Sequence, residues 1–281
     1  MDKKENLPIS VCISTLNCIG EIENCLQAVF RNNVNEIIVV DAESDDGTFH
    51  FLQSQSVKLI SCPRYGLAYQ RQLSIEKASQ EFIAIVDSQD VLEDNCLSVL
   101  LREMKLYGWD AIQASTEAKF LDTYWQKAYD SLTKYSLNDV GETNMVGRPC
   151  IYKSKAILEI GFDPFFSYGI GCEDADISIQ FERNSYKQGM GSGVVKRVHP
   201  KYFREWFKKW AKYGRGDACL IFKYPYKFFG IIKHQLITYP ILRSYKLIRK
   251  NEFHYAPFYI LTGIIRFTFM LKKLFELLIK I

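Results

Sequence analysis

The sequence has no C-x-x-C pair among its eight cysteines, no Gly/Ser-rich or Pro-rich linker, and no internal repeat or low-complexity tract. The cysteine spacing argues against a zinc site, because zinc ligands usually occur in close pairs. We therefore expect reduced cysteines, mostly buried as small apolar residues, in a cytosolic protein. Without linkers, the 281 residues are enough for one large domain or two small ones with a real core.

The N-terminal segment, MDKKENLPIS, lacks a long apolar stretch behind its charges, which argues against a signal peptide.

Acidic residues are scarce at the C-terminal end of the chain. Residues 196–281 have 19 Lys and Arg against 4 Asp and Glu, a net charge of +15, whereas residues 1–195 have 17 against 28, a net charge of −11. A basic segment on an acidic body predicts a polyanionic partner, either nucleic acid or an anionic membrane.

Short apolar runs alternate with amphipathic segments in the first third of the chain. The runs at 8–15, 35–41, 57–62 and 81–87 are typical of buried strands, and the segments 20–32 and 66–79 between them are typical of helices. This alternation predicts an α/β fold with a mostly parallel, doubly wound sheet. Beyond residue 92 the pattern changes to further helices, a strand and, at 137–149, a loop.

Polar residues lie at the carboxyl ends of three of these predicted strands. Thr15 ends the first and Asn17 comes two residues later, Asp41 ends the second, and Asp87 ends the fourth with Asp90 three residues later. Ligands of doubly wound sheets bind outside the carboxyl ends of the strands. We therefore expect these side chains to converge on one crevice.

Six segments in order resemble the family-2 inverting glycosyltransferases: VCISTLN, EIIVVDAESDDGT, GLAYQRQLSIEKA, FIAIVDSQDVL, IYKSKAILEIGFDPFF and GCEDADISIQFER. The resemblance covers about residues 8–216 and implies the GT-A fold. It predicts a catalytic domain at 1–216, with a nucleotide-binding half at about 8–110 and an acceptor-binding half at 111–216. Residues 217–281 lie beyond it and are predicted to be a basic, helical, membrane-associating tail.

The resemblance implies that Thr15, Asn17, Asp41, Arg71 and Asp87 bind the donor nucleotide. A carboxylate such as Asp41 accepts hydrogen bonds from a ring N–H or a ribose hydroxyl; the alternative is a cap of the turn that follows it. Arg71 would neutralise the diphosphate or hold Asp87 in place. The alternative for Arg71 is a solvated helix arginine.

The family usually carries D-x-D or D-x-D-D where this chain has Asp87, Gln89 and Asp90. The resemblance implies that these residues, with His199, hold the Mg²⁺ or Mn²⁺ that bridges the donor diphosphate. Gln89 stands where the main metal-binding Asp is expected, so we expect weaker binding or ligation shifted to Asp87 and Asp90. Loss of the metal site is the alternative, and His199 could instead be a structural histidine.

The segment CEDADIS matches the family's E-D motif, and the resemblance implies that it supplies the catalytic base. An inverting transfer needs a base that takes the proton of the acceptor hydroxyl as this oxygen attacks the anomeric carbon. We assign the base to Asp174, with Glu173 as the alternative and Asp176 as a structural residue. All three acids also suit the N-terminus of a helix.

Processive relatives carry a Q-x-x-R-W motif near this point of the chain. The stretch Trp206-Phe207-Lys208-Lys209-Trp210 lacks the Gln and the Arg of that motif, which favours the transfer of a single sugar.

In the tail, residues 217–281, one arc of a helical wheel contains polar and basic residues, and apolar residues fill most of the rest. This layout predicts a helix in the membrane interface with its basic face toward anionic headgroups. Packing on the catalytic domain or on a second subunit is the alternative. The arc consists of Tyr259, Thr262, Arg266, Lys272, Lys273, Glu276 and Lys280.

These patterns together predict a glycosyltransferase on the cytoplasmic face of a membrane, held peripherally or monotopically. Its partners would be a nucleoside-diphosphate sugar and a glycan or lipid-linked hydroxyl acceptor. A polyprenyl-phosphate sugar synthase and a catalytically inactive nucleotide-sugar-binding module are the alternatives. Nucleic acid is not an expected partner, because no recognition motif accompanies the basic charge.

Overall fold

The computed structural model describes residues 6–167 and 170–279. They form two compact units. The first comprises residues 6–117, 138–167 and 174–198, and the second comprises 118–137, 170–173 and 199–279. The division differs from the predicted boundary at residue 216, which falls inside the uninterrupted helix Phe203–Lys223.

Strands and helices alternate through the first unit. The strands are β1 (Leu7–Thr15), β2 (Val34–Asp41), β3 (Lys58–Ser61), β4 (Phe82–Asp87), β5 (Val91–Leu92), β6 (Ala111–Ala118), β7 (Gly141–Glu142), β8 (Cys150–Lys153) and β9 (Gln188–Arg197). The helices of the whole chain are α1 (Ile19–Arg31), α2 (Thr48–Gln53), α3 (Leu67–Glu76), α4 (Cys96–Tyr107), α5 (Tyr124–Ser136), α6 (Ser154–Ile160), α7 (Glu173–Arg183), α8 (Phe203–Lys223), α9 (Phe228–Lys233), α10 (Ser244–Ile248) and α11 (Ala256–Leu278). A π-helical segment, His234–Arg243, lies between α9 and α10, and Pro240 within it cannot donate a helical hydrogen bond.

One mixed sheet organises the first unit. Its strand order is β3-β2-β1-β4-β8-β6-β9-β5, with β7 paired to β9. The four strands predicted from the early alternation are parallel neighbours, and β8 then pairs antiparallel with both β4 and β6. The α/β fold is thus confirmed, but the sheet is mixed rather than mostly parallel, with parallel strands on one side and antiparallel pairs on the other.

Sequence patterns located the early helices well. The predicted apolar face of the first helix consists of Ile22, Cys25, Leu26 and Val29, and all four side chains are buried on α1. Gly108 ends α4 in the left-handed conformation that glycine adopts without strain. All eight cysteines are free and buried, as expected for small apolar core residues.

The second unit is helical and has an aromatic core. Trp206 and Trp210 of α8 pack with Phe258 and Tyr259 of α11, and with Tyr129 of α5. Gly214 on α8 permits close packing, because a Cβ there would lie 2.4 Å from the carbonyl oxygen of Arg266. The aromatic residues of the basic segment therefore build a protein core.

A buried ion pair joins α8 to α11 inside this unit. Arg266 donates from Nε and Nη2 to the two carboxylate oxygens of Asp217, at 2.9 and 2.7 Å. The buried Gln235 donates to the same carboxylate at 2.7 Å. Burial alone would lower the pKa of Arg266, but the charge of Asp217 raises it above its ordinary value.

The predicted orientation of α11 is wrong for part of the polar arc. Tyr259 and Thr262 are buried, and the mostly buried Arg266 bonds Asp217 rather than projecting toward headgroups. The physical reason is that an acid on α8 neutralises the arginine inside the protein. Lys272 is exposed, and Lys280 lies outside the described residues. Within residues 6–167 and 170–279, no helix has both the length and the apolar character needed to cross a membrane.

We expect Arg266→Met to lower the free energy of unfolding by about 3–5 kcal/mol, because it leaves the Asp217 carboxylate buried without its partner. The double variant Arg266→Met/Asp217→Asn should recover much of the loss, since the amide oxygen can still accept from Gln235. Urea unfolding followed by tryptophan fluorescence would measure both. The control is Lys273→Gln, which removes a Lys273–Glu276 ion pair on the same helix. It should lower the free energy of unfolding by at most about 1 kcal/mol. A single variant as stable as this control would contradict the expectation.

The free energy of unfolding should also depend on pH, through His234. Burial, and then the charges of Arg266 and Arg243, lower the pKa of His234 to about 3. The unfolded chain protonates this histidine near pH 6.5, so between these values the unfolded state binds the extra proton. Stability should therefore fall as pH drops from about 6.5 to 3, by up to about 4 kcal/mol. His234→Gln should flatten this part of the curve in urea titrations at several pH values; an unchanged pH slope in the variant would argue against the histidine.

Candidate active site

The carboxyl ends of β1, β2 and β4 place the first candidate residues side by side. Thr15 pairs with Asp41 across β1 and β2, and Ser14 pairs with Asp87 across β1 and β4. Neighbouring strands lie about 4.8 Å apart. The predicted convergence of Thr15, Asp41 and Asp87 on one edge of the sheet is therefore present.

Asp41 is fully buried and accepts three hydrogen bonds. Its Oδ2 accepts from Thr15 Oγ1 at 2.8 Å and from Ser44 Oγ at 2.6 Å, and its Oδ1 accepts from the Ser44 amide at 2.9 Å. This is the turn-capping role that the sequence left open as the alternative. A nucleotide-binding role for Asp41 stays a prediction.

Asn17 fixes the same turn from the other side. Its side chain donates to Asp45 Oδ1 and accepts from the Asp45 amide, both at 2.9 Å. The residue has a positive φ of 50°, a conformation that asparagine tolerates better than most residues. Asn17 is exposed at the rim of the strand ends, and its contact with a donor stays a prediction.

Arg71 reaches Asp87 from α3. Its Nη2 donates to Asp87 Oδ1 at 2.8 Å, and its side chain is almost completely buried. The alternative of a solvated helix arginine is therefore wrong. Arg71 holds the Asp87 carboxylate in place, which is one of the two roles that the sequence suggested.

Asp90 is bound by an arginine that the sequence did not single out. Val91 pairs with Lys196 across the antiparallel strands β5 and β9, and the same register places Asp90 opposite Arg197. Arg197 donates from Nε and Nη2 to the two oxygens of Asp90, at 2.7 Å each. Arg197 Nη2 also lies 3.6 Å from Asp87 Oδ2.

Arg148 links the strand-end acids to the predicted base. Ile85 pairs with Cys150 across β4 and β8, and this register places Arg148 opposite Asp87. Arg148 Nη1 lies 3.5 Å from Asp87 Oδ1, and Nη2 lies 3.7 Å from Asp174 Oδ2. Only the strand pairing brings Arg148 and Arg197 here, so no local motif could have identified them.

The arginines decide the protonation of this cluster. Burial alone would raise the pKa of Asp87, but Arg148, Arg71 and Arg197 lower it well below its ordinary value. Burial raises the pKa of Asp90, and the two bonds from Arg197 counteract that shift. Burial would lower the pKa of Arg197, and Asp90 raises it instead. Asp87 and Arg197 are therefore both charged at neutral pH.

The other predicted residues of this region are Gln89 and the acids of α7. Gln89 is exposed in the turn after β4. Asp174 and the buried Asp176 are in the first turn of α7, as expected for acids at a helix N-terminus. The buried Glu173 belongs to the second unit.

His199 also belongs to the second unit. Its ring centroid lies 4.6 Å from that of Tyr129, and its Nε2 lies 3.8 Å from Asp130 Oδ1. The residue is buried in these surroundings. Its predicted role as a metal ligand stays a prediction.

The acids at the strand ends do not fit a divalent metal ion. Mg²⁺ and Mn²⁺ prefer several anionic or carbonyl oxygens, but the oxygens of Asp87 and Asp90 already face three guanidinium groups. A divalent cation at these oxygens would be repelled by those charges. No group of three or more His, Cys, Asp and Glu side chains is placed to hold a metal in the part of the chain that the structure describes.

Comparisons with known proteins identify the family and the fold. The model of glycosyl transferase family 2 matches residues 10–156. A lipopolysaccharide core biosynthesis glycosyltransferase, LpsC of Rhizobium meliloti (strain 1021), is 31% identical over 113 residues, which are 37% of this chain and 41% of the relative. The chain thus matches less than half the length of that curated relative.

Solved structures share the fold. TarS 1–349 of S. aureus in complex with UDP-GlcNAc has a TM-score of 0.55 at 15% identity, covering 76% of this chain and 66% of that chain. The mannosyltransferase PcManGT of Pyrobaculum calidifontis, in complex with GDP-Man and Mn²⁺, has a TM-score of 0.60 at 15% identity, covering 94% and 74%. These similarities establish the GT-A type of fold.

Proposed function

Because the chain belongs to glycosyl transferase family 2, we propose that it transfers a sugar from a nucleoside-diphosphate sugar to a hydroxyl acceptor, with inversion at the anomeric carbon. One observation carries the proposal: a single guanidinium, that of Arg148, lies between Asp87 at the strand ends and Asp174 on α7. An acid of the donor site and a candidate base therefore lie within reach of one bound substrate.

The donor would bind along the strand ends. Thr15, Asn17, Asp41, Arg71 and Asp87 are the side chains proposed to contact its nucleotide. The bound donors of TarS and PcManGT, UDP-GlcNAc and GDP-Man, are both nucleoside-diphosphate sugars, which supports this donor class. Mn²⁺ is present in the PcManGT complex, but the arginine-bound acids of this chain lead us to propose no metal-dependent step.

The reaction would be a direct displacement. The acceptor hydroxyl oxygen forms a bond to the anomeric carbon as the bond to the diphosphate oxygen breaks, and Asp174 takes the hydroxyl proton. The nucleoside diphosphate leaves with the bonding electrons. Asp174 is partly exposed, so an acceptor hydroxyl can approach it.

The acceptor is proposed to belong to an envelope glycan or its lipid-linked precursor. The name of the relative LpsC refers to lipopolysaccharide core biosynthesis, which supports this class. A polyprenyl phosphate is the rival acceptor, and product analysis by mass spectrometry separates a glycoside from a sugar phosphate. An inactive nucleotide-sugar-binding module, the other rival, would bind donors without any turnover.

A surface of the second unit supports a membrane location. Exposed apolar side chains lie along one side of α11 and at Ile279 directly after it, and we call them the α11 stripe. Contiguous apolar patches of this kind are rare on soluble monomers, and the net charge of +15 in residues 196–281 suits an anionic bilayer. We therefore propose peripheral or monotopic binding at a cytoplasmic membrane face. The α11 stripe consists of Ile260, Leu261, Ile264, Leu271, Phe275, Leu278 and Ile279.

Asp174→Asn should reduce transfer about 10²- to 10⁴-fold, because an amide cannot take the acceptor proton. Donor affinity should change by less than about threefold, since the substitution keeps the size of the side chain. Steady-state turnover and calorimetric nucleotide binding measure the two quantities. Glu173→Gln is the parallel variant. If it lost activity while Asp174→Asn stayed fully active, the base would be Glu173.

Ile264→Asp and Phe275→Asp should each weaken binding to anionic vesicles about tenfold or more, because each removes an exposed apolar side chain whose burial in the bilayer would contribute about 1.5–3 kcal/mol. Sedimentation with phosphatidylglycerol vesicles measures the bound fraction. Leu106→Asp is the control, since Leu106 is a 72% exposed apolar residue on α4 of the first unit. The membrane would be excluded as the partner of the stripe if both stripe variants bound vesicles as the parent chain does. It would also be excluded if the parent chain were a dimer that the two substitutions dissociate.

A further inference from the structure

Asp87 and Asp90, where the family expects metal-binding acids, are surrounded by arginines. Arg71 is bonded to Asp87, Arg197 is bonded to Asp90 and lies near Asp87, and Arg148 lies near Asp87 and Asp174. We call Arg71, Arg148 and Arg197 the arginine cluster. Its three positive charges stand where a divalent cation would otherwise balance the acids.

We infer that the site binds the donor diphosphate without a divalent cation, and that Arg148 and Arg197 supply the positive charge that faces it. This inference rests on the proposed function. It specifies how that same site holds its donor and which residues replace the metal.

The geometry assigns different tasks to the three arginines. Arg71 is almost completely buried and its guanidinium is bonded to Asp87 at 2.8 Å, so it holds this acid in place. Arg148 and Arg197 keep 13% and 17% of their side chains exposed. These two guanidinium groups are therefore the ones that a ligand at the strand ends can meet.

The chemistry of guanidinium suits this task. It remains charged at any physiological pH, and its planar set of N–H donors matches phosphate oxygens. At Arg148 the distances to the acids, 3.5 and 3.7 Å, are those of ion pairs rather than short hydrogen bonds. A diphosphate at the strand ends would add phosphate oxygens to the acids that this guanidinium already faces.

The sequence change at Gln89 is consistent with the same assignment. A carboxylate at this position would add a negative charge beside Asp87 and Asp90 and would favour a cation. Gln89 brings no charge and is exposed in the turn. Asp87 and Asp90 face the three arginines of the cluster, which leaves one net positive charge, so no cation is needed to neutralise these two acids.

The first experiment compares nucleotide binding with and without metal. Isothermal titration of the full chain with UDP and with GDP would be run in excess EDTA and again with 1 mM MnCl₂. We expect dissociation constants that agree within about threefold for whichever nucleotide binds. Affinity that rises tenfold or more with Mn²⁺ would overturn the inference and leave the proposed function standing. If neither these nor other nucleoside diphosphates bind in either condition, the proposed function falls and the inference with it.

The second experiment tests the arginines. Arg148→Gln should weaken nucleoside diphosphate binding tenfold or more in EDTA while changing nucleoside monophosphate binding much less. Arg197→Gln alone would leave Asp90 buried without its partner, so Arg197→Gln/Asp90→Asn is the variant to use, and it should show the same pattern. Arg102→Gln, at an exposed position of α4 in the same unit, is the matched control and should bind as the parent chain does. The inference would be overturned if both cluster variants bound the nucleoside diphosphate as tightly as this control does.

Discussion

The hydrogen-bond register between neighbouring strands is the constraint on which the candidate site depends. Parallel register places Asp41 beside Thr15 and Asp87 beside Ser14. Antiparallel register then places Arg148 opposite Asp87 and Arg197 opposite Asp90. A slip by one residue would turn each strand-end side chain to the other face of the sheet. Acids and arginines that are 61 to 107 residues apart in the sequence therefore meet because the buried apolar strands fix the pairing.

This pairing also sets the electrostatics of the site. Carboxylates crowded at one sheet edge would repel each other and would favour protonation of at least one of them. The arginines reverse this tendency for Asp87, whose pKa lies below its ordinary value despite burial. A guanidinium gives such a site a fixed charge, whereas a bound metal ion would make its charge depend on metal concentration. The first unit therefore contains its counter-charges within the fold.

The sequence predicts well what depends on short-range patterns. Strand and helix alternation located β1 to β4, the buried face of α1 and the strand-end acids, because periodicity and chain order alone determine them. It also singled out Arg71, through its position in a family segment. It did not identify Arg148 or Arg197, since their role comes from pairing with distant strands. The helical wheel placed Tyr259, Thr262 and Arg266 on one side of α11, but it did not identify what this side packs against, because a helical wheel does not show the partner of a helix.

Arg266 explains why that partner was misjudged. An arginine within an apolar helix needs either headgroups and water or an acid, because an unpaired buried charge is costly. Residues 196–281 contain only four acids, and one of them, Asp217, lies on the neighbouring helix α8 and accepts both bonds. Once the polar side of α11 faces α8, the apolar side must face outward, and Phe275 is 67% exposed there. An interior ion pair in the second unit thus leaves the apolar side of the helix, rather than its basic side, available for a bilayer.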